Sequence, residues 1–399
     1  MRRCMWFAGV LAAGSMWVAT SSAGAETIKV GIINTYSGSQ ASLGDQIDKG
    51  IRLYMKMHEA DLPDGVKLEV LRRDDTGPNP EVAIRLAQEL IVREKVDFLT
   101  GVVWTPVASA LAKIAGQAKV PLVISNASAA MLTTISPWTV RVAHSMWHSG
   151  YPLGEWASEN GIGTVYTAVS DYTPGHDSEQ AFITAFEGKG GVIAGSVRMP
   201  LQNPDFIPFL QRIKDAKPDA VFAFLPAGRQ ATAFMKAFGE LGLSDEGIRL
   251  IGTGDIVTDE ELPNMGSVPV GVISAFHYSA ASPSENNRKF VEAWKQEYGA
   301  DSVPNYMSVG GWDSMDAIYK AIIAQNGKIS SEESLRLIRN WSNPDSPRGP
   351  ASIDPETGDV IHNVYMRETK MENGILANIE FETFPQVKDP WKEMKNKSK

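Results

Sequence analysis

Along the chain, short runs of consecutive hydrophobic residues alternate with stretches in which hydrophobic residues have helical spacing. Residues 28–33 form an apolar, β-branched run that predicts a strand, and residues 46–59 have the pattern of a helix. Strand and helix patterns then alternate up to residue 125, in the order 67–71, 81–95, 98–103, 107–118 and 120–125. This alternation predicts an α/β fold, a parallel sheet with helices on both faces.

The same pattern restarts after residue 151 and predicts a second α/β sheet. Its strands are predicted at 164–170, 192–197, 220–225 and 249–252, and helices at 151–160, 178–187, 206–216, 230–241, 286–298 and 314–326. The tail differs, because residues 360–368 and 375–382 flank the turn Glu372-Asn373-Gly374. Asn-Gly suits a turn that needs positive φ at both central residues, so a β-hairpin is predicted there.

The chain is long enough to form two lobes. It has 399 residues, 43% of them hydrophobic, and a single core rarely grows beyond about 250 to 300 residues before it splits. The length alone does not say how the chain is shared between the lobes.

The first 25 residues have the three parts of a secretory signal peptide. Arg2 and Arg3 give a positive start, residues 6–18 are apolar, and small residues lead up to Ala25. A membrane anchor is the weaker alternative, because glycine and serine interrupt the apolar run and about 20 strongly apolar residues are needed to span a bilayer. We therefore expect export and cleavage after Ala25.

Composition excludes several classes of function. The only cysteine, Cys4, lies in the predicted signal peptide, so disulfides, thiolate metal sites and cysteine nucleophiles are not expected in the mature chain. Loss of two arginines changes the net charge from -9 to -9 - 2 = -11. An acidic surface argues against nucleic acid as a partner. After residue 25 no apolar run is long enough to span a membrane.

Candidate ligand contacts follow the predicted strands of the first lobe. Ligands of open parallel sheets bind beyond the carboxyl ends of the strands, near helix starts with free N-H groups. Thr105-Pro106 opens a helix with a hydroxyl and a proline, and Asn126, Ala127 and Ser128 form the turn after the next strand. Two such turns could bind both oxygens of one carboxylate. An ordinary capped helix remains the commoner interpretation of Thr105 taken alone.

The second lobe offers Tyr172 after its first strand and Asp255 after its fourth. Both belong to loops that would face the same edge, although an aspartate in such a loop is more often a cap or turn residue. Trp104, Trp147, Phe276 and Tyr278 lie near the predicted crevice; each alone is more often a core residue.

Motifs of the common enzyme classes are absent from the sequence. We find no Gly-x-Ser-x-Gly, His-Glu-x-x-His, phosphate-loop or dinucleotide-binding pattern. His144 and His148 are four residues apart, as zinc ligands on a helix can be, but no acid or thiol ligand accompanies them. We therefore expect no catalytic residue, no metal and no cofactor.

Several segments, taken in order, resemble the leucine/isoleucine/valine-binding family of periplasmic solute-binding proteins over nearly the whole mature chain. The matching segments are Tyr36-Ser37-Gly38 with Leu43-Gly44, Pro121 to Ser125 leading into Ala127-Ser128, Asp171-Tyr172 with Gly175, Lys217 to Val221, Tyr278-Ser279, Asn286 with Phe290, and Ser346 to Pro350 leading into Asp354.

This resemblance implies a type I periplasmic binding protein, with two Rossmann-like lobes joined by three crossovers that close on the ligand by a hinge motion. The implied lobes are residues 26–145 plus 278–345 and residues 146–277 plus 346–399. In the family, positions matching Thr105 and the turn from Asn126 to Ser128 hold the ligand carboxylate, and a tyrosine matching Tyr172 contributes from the second lobe.

The family role implies the solute-binding component of an ABC importer, a periplasmic monomer that delivers a small carboxylate to membrane permease subunits. A periplasmic ligand sensor with the same fold is the alternative, and a hydrolase with an unrecognised site is a third possibility.

The ligand class depends on positions where the sequence departs from amino-acid binders of the family. Leu43 stands where they carry a large aromatic residue, and Trp104 is bulky where they have a small polar one. Asp255 aligns only loosely with the acid that pairs with a ligand ammonium. The candidates are therefore an apolar or aromatic amino acid and an aromatic acid, which Trp104 and Phe276 would suit.

Overall fold

The first lobe is built on a parallel sheet whose central strands are buried on both faces. The computed structural model describes residues 26–38 and 40–397, so the predicted signal peptide lies outside the described residues. The strands follow the order β2-β1-β3-β4-β5 and are all parallel. Their bounds are β1 Glu26–Asn34, β2 Val66–Asp74, β3 Phe98–Gly101, β4 Leu122–Ile124 and β5 Thr139–Arg141. Val30, Ile32 and Ile33 are fully buried, because helices cover both faces of the sheet.

The second lobe contains a larger, mixed sheet. Its strands are β6 Thr164–Ser170, β7 Val192–Met199, β8 Ala220–Phe224, β9 Arg249–Thr253, β10 Ile273–Phe276, β11 Ser342–Asn343, β12 Ala351–Ile353, β13 Val360–Glu372 and β14 Ile375–Val387. The order is β11-β12-β13-β10-β9-β8-β6-β7, and β14 pairs with β13. β6 to β10 are parallel, whereas β13 runs antiparallel to β10, β12 and β14.

Helices cover both sheets. They are α1 Ala41–Met57, α2 Pro80–Gln88, α3 Thr105–Ala118, α4 Met146–Glu159, α5 Thr173–Gly188, α6 Ile207–Ala216, α7 Arg229–Glu240, α8 Glu285–Tyr298, α9 Tyr306–Ala324, α10 Ser331–Arg339 and α11 Pro390–Lys397. A π-helical turn, Glu89–Arg93, extends α2. In the part of the chain that the structure describes, no helix combines the length and the apolarity needed to cross a bilayer.

The chain passes between the two lobes three times. The crossings follow β5, β10 and α10, which is the architecture implied by the family resemblance. The short strand β11 already pairs in the second sheet, although it lies within the segment 278–345 assigned to the first lobe from the sequence.

Close packing of α9 against α1 carries the later part of the chain back to the first lobe. A Cβ atom at Gly50 would lie 1.9 Å from the carbonyl oxygen of Ser308, and one at Gly311 would lie 2.1 Å from that of Ile47. Only glycine permits this approach. It places the start of α9 at the interface between the lobes.

Candidate ligand-binding site

A narrow cavity lies between the lobes, at the carboxyl ends of the strands. The space between its walls is about 360 Å³. The first lobe contributes Leu43, Val103, Trp104, Thr105, Asn126, Ser128, Tyr306 and Met307, and the second contributes Tyr172, Pro174, Phe224, Pro226, Ala227 and Asp255. The location is the one expected for a ligand of two α/β lobes.

Thr105 brings an unsatisfied hydroxyl to this cavity. It is the first residue of α3, Pro106 follows it, and Trp104 is the N-cap in extended conformation. The Thr105 side chain is buried, and its Oγ1 has no hydrogen-bond partner among the described residues. Free N-H groups and the positive end of the helix dipole add to this hydroxyl. The helix start is therefore suited to an anionic ligand group.

Trp104 is held in the cavity wall by a chain of hydrogen bonds. Its Nε1 donates to Thr35 Oγ1 at 2.9 Å, and that hydroxyl donates to Asp75 Oδ1 at 2.7 Å. Burial raises the pKa of the Asp75 carboxyl. Because both ends of the chain are buried, the indole plane has a fixed orientation.

The turn formed by Asn126, Ala127 and Ser128 is fixed by the backbone of the preceding loop. Asn126 Nδ2 donates to the Val103 carbonyl at 2.9 Å, and the Ala127 N-H donates to the Val102 carbonyl at 3.0 Å. Asn126 and Ser128 line the cavity, whereas Ala127 does not. The Ala127 N-H is thus already engaged within the protein.

Val102 has a backbone conformation that is rare for a β-branched residue. Its φ is 73°, and its N-H donates to Asn34 Oδ1 at 2.9 Å. Such strain persists only where surrounding contacts enforce it. Here it turns the chain between β3 and α3, and sequence reasoning identified neither Val102 nor Asn34.

Aromatic and proline side chains form the wall on the side of the second lobe. Tyr172 is the N-cap of α5, and its ring stacks on Phe224 with centroids 6.0 Å apart. Burial, and secondarily the charge of Asp255, raise the pKa of Tyr172. Pro174 and Pro226 complete this apolar surface.

Asp255 already accepts two hydrogen bonds from the protein. Tyr306 Oη donates to Asp255 Oδ1 at 2.8 Å, and Thr253 Oγ1 donates to Oδ2 at 2.8 Å. Burial raises the pKa of Asp255 to about 6, although the two hydroxyl groups oppose this shift. Tyr306 comes from α9, a segment that the sequence patterns did not connect with the site.

Phe276 lies behind the cavity wall and does not line it. Its ring packs edge-on against Tyr306 with centroids 4.6 Å apart, and the Arg367 guanidinium lies 5.1 Å from its centroid. The residue thereby supports Tyr306. Of the eight residues predicted as ligand contacts, the structure brings six to the cavity and places Ala127 and Phe276 outside it.

Direct hydrogen bonds between the lobes hold them together. The Ala130 N-H donates to Asp177 Oδ2 at 2.8 Å, and Asn305 Nδ2 donates to Glu260 Oε1 at 2.6 Å. Burial raises the pKa of Glu260 to about 8. With the Tyr306-Asp255 bond, these contacts describe a closed arrangement of the lobes.

His144 and His148, considered above as metal ligands, belong to a buried cluster of four histidines. Ring centroids are 4.6 Å apart for His144 and His277, 5.1 Å for His277 and His362, and 4.8 Å for His148 and His362. Among the residues that the structure describes, no group of three or more His, Cys, Asp or Glu side chains is arranged to hold a metal ion.

Known proteins of similar sequence and structure share this architecture. Residues 27–374 match the periplasmic binding protein family. The Leu/Ile/Val-binding protein homolog 6 of Brucella melitensis is 40% identical over 94% of this chain and 95% of its own length.

Two solved structures are similar over nearly the whole chain, each with a TM-score of 0.88. One is a solute-binding protein of an ABC transporter from Rhodopseudomonas palustris BisB5 in complex with 3,4-dihydroxybenzoic acid, 46% identical over 92% of this chain and 99% of that one. The other, from R. palustris in complex with 4-hydroxybenzoate, is 40% identical over 92% of this chain and 100% of that one. The chain thus belongs to the periplasmic binding protein family, as a solute-binding protein and not an enzyme.

Proposed function

We propose that this protein is the periplasmic component of an ABC importer that binds an aromatic monocarboxylate of the hydroxybenzoate class and delivers it to membrane permease subunits. The state of Asp255 carries the choice of ligand class. A ligand ammonium would need an available carboxylate, whereas both carboxylate oxygens of Asp255 already accept hydrogen bonds, one from Thr253 and one from Tyr306. An acid without an amino group needs no such partner.

The side chains that line the cavity favour a flat ligand. Aromatic rings line it from both lobes. Trp104 lies in one wall, and Tyr172 and Phe224 lie in the other. An aromatic ring between these side chains would bury both faces against apolar groups.

The carboxylate is assigned to the start of α3. In this proposal, the buried Thr105 hydroxyl donates to the ligand, and Asn126 and Ser128 complete the polar end of the cavity. Ala127 and Phe276 act indirectly, through the turn and through Tyr306. The related proteins with bound hydroxybenzoates support the same ligand class.

A ligand panel tests the proposal. The mature protein, residues 26–399, is titrated calorimetrically and heated with 4-hydroxybenzoate, 3,4-dihydroxybenzoate, benzoate, leucine and phenylalanine. A ligand at 100 times its Kd stabilises the folded state by about 2.7 kcal/mol. We expect binding and a higher Tm with the benzoates alone. Binding of leucine or phenylalanine without binding of any benzoate would overturn the assignment.

A further inference from the structure

A second, polar groove lies directly outside the ligand cavity and is formed by both lobes. Its volume is about 640 Å³, and its walls are Gly38, Ala41, Ser42, Arg229, Thr232, Ala233, Lys236, Glu261 and Asn264. The first three residues belong to the first lobe and the others to the second. A groove with walls from both lobes marks the mouth of the cleft.

Two loops connect this groove with the cavity. Ser42 lines the groove and the next residue, Leu43, lines the cavity, while Ala227 lines the cavity and Arg229 lines the groove. Between the latter two, Gly228 has a φ of 85°, and a Cβ atom placed there would lie 3.7 Å from Leu43 Cδ2 of the opposite lobe. A solute entering the cavity at this edge passes Arg229.

The cations of the groove are not neutralised by partners. Arg229 and Lys236 are exposed, and in the part of the chain that the structure describes neither side chain forms an ion pair or hydrogen bond. Glu261 lies in the same groove, where its carboxylate accepts from two neutral groups, Thr232 Oγ1 at 2.9 Å and Asn264 Nδ2 at 3.1 Å. The groove thus has two basic side chains and one acidic side chain. The positive charges therefore face the solvent at the mouth of the cleft.

We infer that Arg229 and Lys236 form a capture site that attracts an anionic solute to the cleft before the lobes close on it. The inference rests on the proposed function, since it needs a ligand with a net negative charge. The full sequence has a net charge of -9, which becomes -9 - 2 = -11 without Arg2 and Arg3, and this charge repels such a ligand at long range. Local cations at a cleft mouth offset this repulsion and raise the association rate.

The test is a stopped-flow measurement of 4-hydroxybenzoate association, followed by intrinsic tryptophan fluorescence. The double variant R229Q/K236Q should lower kon about three- to fourfold at 10 mM ionic strength, since each charge at about 10 Å contributes a few tenths of a kcal/mol in water. We expect koff to change less than twofold. The difference should vanish near 0.5 M salt, where charges are screened within a few ångströms.

R212Q/K217Q is the matched control, because it removes the same net charge. Arg212 and Lys217 are exposed and form no ion pair with any described residue, and they lie towards the amino end of β8, the opposite end from Arg229. An equal loss of kon in both double variants would overturn the capture site. Equilibrium titration of the wild type separates this result from failure of the proposed function. If the wild type binds only zwitterionic amino acids, both the proposed ligand class and the capture site are wrong. If it binds benzoates but R229Q/K236Q shows no selective loss of kon, only the capture site is wrong.

Discussion

At the scale of single residues, Thr105 gives the sharpest test of the carboxylate position. Its hydroxyl is buried and unpartnered in the described structure, so Thr105→Ala removes a donor without disturbing another protein hydrogen bond. A hydrogen bond to a charged group contributes about 1.5 to 3 kcal/mol, and its loss should weaken 4-hydroxybenzoate binding roughly ten- to a hundredfold. Isothermal titration calorimetry measures the change.

Thr105→Ser is the matched control because it keeps the hydroxyl at the start of α3. It should retain affinity within a few fold of the wild type. Unchanged affinity in Thr105→Ala would show that the carboxylate binds elsewhere in the cavity.

The raised pKa of the Asp255 carboxyl predicts that ligand binding depends on pH. Its pKa of about 6 in the ligand-free protein means that it gains negative charge as the pH rises from 5 to 8. That charge repels an anionic ligand, so the complex favours the protonated form and affinity should fall about three- to tenfold over this range. Titrations of wild type and Asp255→Asn at each pH measure the effect.

In Asp255→Asn the affinity should fall less between pH 5 and pH 8, since the amide remains neutral and can still accept a hydrogen bond from Tyr306. The other buried acids, such as Glu260, are the same in both proteins, so the difference reports Asp255. Loss of all binding in the variant, with affinity rising with pH in the wild type, would instead identify Asp255 as the partner of an ammonium.

At the scale of elements, local patterns predicted the longer strands of both sheets and missed the short strands β5, β10, β11 and β12. Residues 164–170 were predicted as a strand and form β6 with the same bounds, because short apolar runs between turns are a strong signal. The helix predicted at 314–326 begins at Tyr306 in α9. Since α9 is buried on nearly every side over its first half, its sequence lacks the polar face that reveals helical spacing.

Local sequence patterns also determine which site residues could be predicted and which were missed. Thr105 and Ser128 follow strands directly, so chain order placed them at the sheet edge. Tyr306 reaches the site through a contact between distant segments, at 2.8 Å to Asp255. Chain order gives no signal for such contacts.

The turn between β13 and β14 tests a prediction made from two residues. Asn373 and Gly374 both have positive φ, 52° and 82°, as the Asn-Gly sequence predicts for a hairpin turn. Gly374→Ala should destabilise the protein by about 1 kcal/mol, measured by urea unfolding, because alanine is strained at this φ. Gly188→Ala, at an exposed site with open space and no positive φ, should be neutral or slightly stabilising. Equal effects at the two positions would contradict the conformational explanation.

At the scale of the whole molecule, the histidine cluster occupies the region where the chain crosses between lobes. His144 lies in the first crossing, His277 directly follows β10 in the second, and His362 lies on β13, next to β12 and the third crossing. His148 completes the cluster from α4. The charged groups around it are Arg141, Arg348, Arg367, Lys392, Asp313, Asp359 and Asp389. The region of the crossings thus contains four histidines whose pKa values are lowered by burial.

Acidification should therefore weaken the folded protein through this cluster. Burial, followed by the neighbouring histidines and then the arginines, lowers the pKa of His277 well below 6.5, so the unfolded chain binds more protons than the folded protein as the pH falls. The stabilising contribution is complete above pH 6.5 and is lost on the way down to the folded-state pKa. For one histidine the loss is about 2 kcal/mol between pH 7.5 and pH 5.

Urea unfolding of His277→Asn at both pH values isolates this contribution. Buried acids with raised pKa values, such as Glu260 and Glu380, make the folded protein more stable as the pH falls. These acids are present in every variant, so the test compares the change in the free energy of unfolding between variant and wild type. The stability of His277→Asn should fall by about 2 kcal/mol less than that of the wild type. His362→Asn should behave similarly, and exposed His176→Asn should follow the wild type. If all three variants followed the wild type, the buried neutral histidines would have no part in the acid sensitivity of the hinge.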